Sequence, residues 1–196
     1  MPENRIRPLL KVCGITETAF ACAADAAGVD FLGFIFAERS PRRVTVEQAK
    51  AICGGLSPRV RKVGVFVEQS VADIVQIMRS VGLDVVQLHR RATGDDVEHL
   101  RNEGFEVWTL DGGVDGDAVV IDSPLGGGSG TPGDWSRVAA AHARGVRAVL
   151  AGGLGPENLS AAAETGADVL DVNSSLETAP GVKSVSRLEL LLRGTT

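Results

Sequence analysis

Polar and titratable side chains recur at alternate positions near the ends of four apolar segments. Lys11 and Cys13 alternate with Leu10 and Val12 near the start of the chain. The same alternation places these side chains at the ends of later segments: Gln87 and His89, Asp122, and Asp171 with Asn173. Burying a lysine, two carboxylates and an amide together costs free energy unless they pair or hydrogen-bond. Such a cluster usually marks a catalytic or binding site, although a structural network of ion pairs has the same composition.

Cys13 is the best-placed reactive group in this cluster. It ends a strand-like segment, precedes Gly14 and lies two residues from Lys11. A neighbouring cation favours the thiolate, which is the reactive form of cysteine. The alternative is a small buried hydrophobic residue, which is the usual role of a free cysteine. Cys22 and Cys53 lie in alanine-rich helical segments and are predicted to be packing residues.

Glycine- and serine-bearing turns indicate a phosphate site. Two of them follow the last two strand-like segments: Gly152 with Gly153, and Ser174 with Ser175. Glycines let the backbone approach phosphate oxygens, and in barrel enzymes the loops after the last two strands often bind phosphate. A third loop, residues 126–130, is predicted to close over the ligand with Gly127 and Gly128, or else to be a flexible connector.

The elements that must position these groups alternate along the chain. Eight apolar segments have strand length and near-continuous apolar character, which indicates a parallel sheet covered by helices. They are Leu9–Ile15, Val29–Phe36, Arg61–Val67, Val85–His89, Phe105–Leu110, Ala118–Asp122, Arg147–Gly152 and Val169–Asn173. Segments with helical spacing lie between them or follow the last: Glu17–Ala27, Val46–Cys53, Val71–Val81, Asp95–Glu103, Trp135–Arg144, Glu157–Thr165 and Val185–Arg193. Thr16, Thr45 and Ser70 are predicted N-caps of the first three helices.

Eight strands favour a closed (β/α)8 barrel over an open doubly wound sheet, and right-handed crossovers allow either. Residues 111–117 separate the fifth and sixth strands, contain three glycines and are too few for a helix. We therefore predict a single (β/α)8 barrel domain over residues 1–196, with a loop in place of the fifth helix. Chemistry in such barrels occurs at the carboxyl ends of the strands, so the alternating polar side chains are predicted to face the interior there.

Composition narrows the range of partners. The chain has 196 residues, a net charge of −5 and no basic run, which argues against a nucleic-acid partner. The three cysteines do not form a disulfide or metal-binding pattern. The first ten residues lack the apolar core of a signal peptide, and no apolar run reaches the ~18 residues of a membrane span. We expect a cytoplasmic protein without membrane partners.

The segment Lys11–Thr16, KVCGIT, resembles the opening signature of the phosphoribosylanthranilate isomerase family. Further stretches resemble the family in order: Gly33–Phe36 with Ser40–Arg42, Val63–Val67, Gln87–His89, Ile121–Ser123 with Asp134 and Trp135, Ala151–Leu154 with Pro156–Asn158, and Asp171–Ser174 with Pro180–Lys183. The resemblance spans roughly residues 10 to 190. It implies a (β/α)8 barrel that rearranges N-(5′-phosphoribosyl)anthranilate by an Amadori rearrangement, without a cofactor or a metal.

The resemblance also implies roles for individual residues. Asp122 would be the general acid that protonates the furanose ring oxygen, and Cys13 the general base that removes the proton from C2 of the sugar. Arg42 suits the anthranilate carboxylate, since a guanidinium binds carboxylates through two parallel hydrogen bonds. The other members of the polar cluster are expected to contact the substrate: Lys11, Gln87, His89 and Asp171.

Two other functions fit the same residues. Arg90, Asn173 and Ser175 differ from the residues usual in the family, so a related barrel isomerase of another phosphorylated aminoaldose is the main alternative. A non-catalytic protein that binds a phosphorylated ligand would keep the glycine turns, but it would not need Cys13 and Asp122. The sequence is compatible with either a monomer or a homodimer.

Overall fold

Eight parallel strands close into a barrel in the order in which they occur along the chain. The structure is a computed structural model, and it describes residues 7–122 and 134–193. The strands are β1 (Leu9–Cys13), β2 (Phe31–Ile35), β3 (Arg61–Phe66), β4 (Val85–Leu88), β5 (Glu106–Leu110), β6 (Ala118–Ile121), β7 (Arg147–Leu150) and β8 (Val169–Val172). The predicted barrel is confirmed, and each predicted strand overlaps an observed one.

Seven helices surround the barrel in the described residues. They are α1 (Thr18–Ala26), α2 (Val46–Cys53), α3 (Val71–Val81), α4 (Gly94–Asn102), α5 (Arg137–Ala143), α6 (Leu159–Glu164) and α7 (Val185–Arg193). Thr45 caps α2 through a capping box with Gln48, and Ser70 accepts a hydrogen bond from the backbone of Asp73 at the start of α3. These two predicted N-caps are therefore confirmed. In each, the side-chain oxygen satisfies a backbone N–H that has no partner within the helix.

Three predicted helix starts are wrong in detail: α5 begins at Arg137 rather than at Trp135, and the other two involve side chains suited to capping. Thr16 does not cap α1; its hydroxyl donates instead to the carbonyl oxygen of Gly181, at 2.5 Å. Helix α6 begins at Leu159 rather than at Glu157, because Asn158 is used to close the preceding turn. In both places a side chain suited to capping makes a tertiary or loop contact, which sequence spacing does not reveal.

The connection between β5 and β6 contains no helix, as predicted. The Thr109 hydroxyl fixes it, because it donates to the carbonyl of Val114 and accepts from the backbone N–H of Gly116. A Cβ atom at Gly116 would come 2.3 Å from the carbonyl oxygen of Val107, so the loop lies directly on β5. Two ion pairs to Asp111 attach the loop to the next unit: one from Arg137 in α5, at 2.5 Å, and one from Arg144 just after α5, at 2.8 Å.

The buried side chains form two layers. An inner cluster fills the barrel and includes Phe31 and Trp108, whose rings meet edge to face at 5.1 Å. An outer cluster lies between strands and helices and includes Val12, Ile121 and Leu170. Neighbours of these outer residues in the strands, such as Lys11 and Asp171, therefore face the interior, which confirms the predicted alternation.

The last strand leads into a short hairpin before the final helix. A 3₁₀ turn, Ser174–Leu176, is followed by the antiparallel strands β9 (Glu177–Ala179) and β10 (Val182–Lys183), and then by α7. The hairpin was not predicted. In residues 7–122 and 134–193, no helix has the length and apolar character needed to cross a bilayer.

Candidate active site

A cavity of about 320 Å³ opens at the carboxyl ends of the strands. The predicted site residues that line it are Cys13, Arg42, Gln87, His89, Asp122, Asp171, Gly152, Gly153 and Ser174. They come from six of the eight strands or from the loops that follow them, so the fold brings together groups that are far apart in the sequence. Lys11 is buried and Ser175 is half-buried, and neither residue lines the cavity. Gly127 and Gly128 lie outside the described residues.

Lys11 and Asp171 form a buried ion pair at the base of this cavity. Their Cα atoms are register partners on β1 and β8, and Nζ lies 2.5 Å from Oδ2. Burial opposes the charged form of Lys11, but Asp171 and Cys13 together raise the pKa of its ammonium. The ammonium is held between the carboxylate and the thiol, so Lys11 acts on the site as a fixed charge rather than from the cavity surface.

Cys13 is buried at the end of β1, with its side chain against β2. A Cβ atom at Gly33 would come 2.8 Å from the sulfur, so glycine makes room for the thiol. Burial raises the pKa of Cys13 because it disfavours the thiolate, whereas Lys11 and Lys183 act in the opposite direction. The expected stabilising effect of Lys11 is present, but burial outweighs it. At neutral pH Cys13 is therefore a thiol in the resting protein.

Asp122 follows β6 and lines the cavity that Cys13 also lines. Burial raises the pKa of Asp171, Lys11 opposes that rise, and the nearby carboxyl of Asp122 adds to it. Two carboxyl groups and one thiol thus line the same cavity. Carboxyl and thiol groups can donate and accept protons, and a reaction with two proton transfers requires such groups.

The turn after β7 has a backbone shape that depends on glycine. Gly152 and Gly153 have φ values of 85° and 65°, in the left-handed region that residues with a Cβ rarely adopt. Asn158 stabilises the turn, since its side chain accepts from the N–H of Gly155 and donates to the carbonyl of Gly153. Ser174 lines the cavity next to this turn. The arrangement presents small residues and backbone to one side of the cavity, as a phosphate site requires.

Buried acceptor atoms lie at the base of the site without partners in the described part of the chain. They are Gln87 Oε1 and Asp171 Oδ1. An unpaired buried acceptor is costly, so each atom is suited to receive a hydrogen bond from a ligand hydroxyl or amine. The Ser175 hydroxyl is also buried and unpartnered within those ranges. No residue with a side chain has a positive φ there, so Ser175 needs no glycine-like conformation.

Comparison with known proteins decides the family. The family model for N-(5′-phosphoribosyl)anthranilate isomerase matches residues 10–193. A relative of that name from Rubrobacter xylanophilus is 41% identical over 192 residues, covering 89% of this chain and 92% of its own. The chain belongs to the N-(5′-phosphoribosyl)anthranilate isomerase family. It is therefore an isomerase of the aldose–ketose type, and the resemblance noted in its sequence is confirmed.

Solved structures agree with this assignment. The phosphoribosyl anthranilate isomerase from Thermus thermophilus superposes on this isomerase with a TM-score of 0.84 at 34% identity, covering 95% of this chain and 97% of that chain. Another phosphoribosyl anthranilate isomerase was solved in complex with reduced 1-(o-carboxyphenylamino)-1-deoxyribulose 5-phosphate. It superposes with a TM-score of 0.80 at 25% identity, covering 96% of this chain and 98% of that chain. The barrel thus has the architecture of this family.

Arg42 of this isomerase lines the cavity beside an apolar wall. The wall comes from β2, β3 and the residues after them: Ile35, Ala37, Val65 and Val67. The guanidinium also forms a bidentate ion pair with Glu177, with both N–O distances 2.7 Å. Hydrogen bonding to Glu177 raises the pKa of Arg42, which therefore stays cationic.

Sequence reasoning missed Glu177 and the role of Lys183. Both side chains are almost fully buried, and Lys183 Nζ lies 3.2 Å from Glu177 Oε1. They flank Pro180 and Gly181, a dipeptide typical of a tight turn, which is a signal that could have indicated the hairpin. No pattern in the sequence, however, indicated that the hairpin reaches Arg42.

Proposed function

We propose that this isomerase converts N-(5′-phosphoribosyl)anthranilate to 1-(2-carboxyphenylamino)-1-deoxyribulose 5-phosphate. The observation that carries the proposal is the convergence of Cys13 and Asp122, from opposite parts of the barrel, on one cavity. That cavity has an arginine at one side and the Gly152–Gly153 turn at another. A phosphorylated sugar with a carboxyphenyl group carries the matching features: an anion at each end and a reacting centre between them.

The chemistry assigns one proton transfer to each of the two groups. Asp122 gives a proton to the furanose ring oxygen while the bond from that oxygen to C1 breaks, and the nitrogen lone pair forms the protonated Schiff base. Cys13 first loses its own proton to solvent and, as thiolate, then removes the proton from C2. The electron pair of that C–H bond forms the C1–C2 double bond of an enolamine, and the electron pair of the C=N bond returns to nitrogen. Tautomerisation of the enolamine gives the C2 ketone. Each step needs only proton donors and acceptors, so the proposed reaction uses neither a cofactor nor a metal.

The remaining lining residues fit the two ends of this substrate. Arg42 and the apolar wall suit the carboxylate and the ring of anthranilate, since a guanidinium binds a carboxylate and apolar side chains pack on a ring. Gly152, Gly153 and Ser174 suit the phosphate, with Gly127, Gly128 and Ser175 proposed to help. Gln87, His89 and Asp171 suit the sugar hydroxyls and the amine. The ligand of the relative crystallised with reduced carboxyphenylamino-deoxyribulose phosphate has the same set of groups.

The test is a fluorescence assay of freshly prepared phosphoribosylanthranilate with the purified protein. We expect loss of substrate fluorescence at a rate proportional to protein concentration, together with rescue of a tryptophan auxotroph that lacks this step. A folded protein that turns over a different phosphorylated aminoaldose, or that binds such compounds without turnover, would contradict the proposal. Fractionation and analytical ultracentrifugation would test two further proposals: a cytoplasmic location, and a state that is either a monomer or a homodimer.

A further inference from the structure

The β9–β10 hairpin packs on the loop that carries Arg42. A Cβ atom at Gly181, in the hairpin turn, would come 3.1 Å from the carbonyl oxygen of Pro41. The hydroxyl of Thr16 donates to the carbonyl of Gly181, which ties the same turn to the segment after β1. The hairpin is therefore fixed to both segments that flank the arginine side of the cavity.

Glu177 of this hairpin holds one edge of the Arg42 guanidinium. Arg42 Nε and Nη2 each donate to a different carboxylate oxygen, both at 2.7 Å, and the Glu177 side chain is only 5% exposed. A guanidinium has five N–H groups in a planar fork, so this pairing leaves those of Nη1 and the second of Nη2. Within residues 7–122 and 134–193, no acceptor pairs with them. The free edge is suited to a second carboxylate.

Gly14 fixes the stem of the same side chain. A Cβ atom at Gly14 would come 2.8 Å from Cδ of Arg42, so the arginine lies directly on the glycine backbone. Gly14 also has a φ of 75°, which residues with a Cβ rarely adopt. The stem and the head of Arg42 are thus held independently, by Gly14 and by Glu177.

Lys183 adds a second cation to this group of charges; burial lowers the pKa of its ammonium, and the carboxylate of Glu177 opposes that change. Its Nζ has three acceptors: the backbone oxygen of Asn173 at 3.2 Å, Oδ1 of Asn173 at 3.0 Å and Oε1 of Glu177 at 3.2 Å. Three acceptors match the three N–H groups of an ammonium, whereas a neutral amine has only two. Arg42 and Lys183 therefore share one carboxylate, and the three side chains carry one net positive charge.

We propose that Glu177 and Lys183 are positioning residues for the substrate carboxylate. Glu177 sets the orientation of Arg42 before the substrate arrives, and Lys183 offsets the charge of Glu177 so that Arg42 still attracts an anion. A side chain that is already ordered loses less conformational freedom on binding, which favours affinity. The proposal rests on the proposed function in one respect: it requires Arg42 to be the ligand of the anthranilate carboxylate.

The test compares two probe ligands on the full-length protein by calorimetry. One is reduced carboxyphenylamino-deoxyribulose phosphate, and the other is the same compound without the carboxyl group. We expect Glu177→Gln and Lys183→Met each to weaken binding of the first probe about tenfold, the scale of one charge-assisted hydrogen bond, and to leave the second unchanged. Thr178→Ala, at an exposed position of the same hairpin, is the matched control and should change neither.

A double-mutant cycle separates positioning from general stability. Adding Glu177→Gln to Arg42→Ala should cost no further affinity for the first probe, because Glu177 acts through Arg42. Equal weakening of both probes by Glu177→Gln or Lys183→Met would overturn the inference and assign the hairpin a purely structural role. Unchanged affinity for both probes would also overturn it. A wild-type protein that binds neither probe contradicts the proposed function itself, so the two failures are distinguishable.

Discussion

Lys11 and Asp171 pair across the seam where the barrel closes, with 2.5 Å between Nζ and Oδ2. They belong to β1 and β8, the first and last strands of the barrel, which join here by hydrogen bonds. The pair also determines which oxygen of Asp171 is available to a ligand. One oxygen of Asp171 is engaged by Lys11, whereas Oδ1 is buried without a partner in the described part of the chain. Lys11 thus fixes the carboxylate and leaves one acceptor for a ligand.

Breaking this pair should destabilise the protein strongly. Lys11→Met leaves the Asp171 carboxylate buried without its counter-charge, and we expect a loss of about 3–5 kcal/mol in the free energy of unfolding by urea. Lys62→Met is the matched control, because Lys62 and Asp84 form a longer pair of 3.5 Å whose side chains are 21% and 38% exposed. It should cost at most about 1 kcal/mol. Similar losses in the two variants would contradict a structural role for the buried pair.

Removal of either proposed proton-transfer group should abolish most of the turnover. Cys13→Ser and Asp122→Asn keep the shape of each side chain, but they replace a thiol and a carboxyl by groups that do not exchange protons near neutral pH. We expect kcat to fall about 10²–10⁴-fold in each variant, with an unchanged circular dichroism spectrum. Cys22→Ser, at an exposed thiol, should retain full activity. A kcat near that of the wild type in either active-site variant would refute its assigned role.

The thiol of Cys13 should titrate at higher pH than an ordinary cysteine. Burial raises the pKa of Cys13 above the usual value of 9.0 despite the opposing effect of Lys11. Because the proposed base is the thiolate, the rise in kcat/KM that Cys13 governs should be displaced to higher pH. The chain contains no tyrosine, so thiolate absorbance in a Cys22→Ser, Cys53→Ser variant reports Cys13 without interference from tyrosinate. A midpoint below 9.0 would show that the neighbouring lysines outweigh burial.

Replacement of one glycine of the turn after β7 should affect the phosphate end of the site specifically. Gly153→Ala and Gly28→Ala both place a Cβ at a left-handed position, with φ values of 65° and 80°. Each should lose about 1–2 kcal/mol of stability for that reason. Only Gly153 lines the cavity, so only Gly153→Ala should also raise the inhibition constant for inorganic phosphate. Equal inhibition of both variants would argue against a phosphate site at this turn.

Much of the fold followed from the sequence because strand burial and helix ends depend on local chemistry. Glycine ends several helices just before the next strand, as at Gly82 and Gly145, and these glycines adopt the positive φ that is common at helix ends. The absence of a helix between β5 and β6 was predictable, since residues 111–117 are too few to form one. Helix starts that use a capping residue for a tertiary contact were not predictable. Thr16 is the clearest case, because its partner Gly181 is distant in the sequence.

The site was predictable only where strand alternation determines direction. Alternation brought Cys13, Gln87 and Asp171 to the interior, and the closed barrel then brought them to one cavity. It did not reveal that Lys11 forms an ion pair with Asp171 and lies below the cavity surface. Nor did it reveal Glu177, because ion pairing between a hairpin and a distant loop depends on three-dimensional packing that has no local pattern.

The shortened connection between β5 and β6 has a consequence for sequence variation. Surface loops usually accept substitutions and insertions readily. Gly116 has no room for even a methyl group, since a Cβ there would overlap the carbonyl oxygen of Val107. The hydroxyl of Thr109 both donates a hydrogen bond to this loop and accepts one from it. The connection between β5 and β6 is therefore expected to evolve as slowly as a core strand. Homologues that lengthen it must change the connection and its contacts with β5 together.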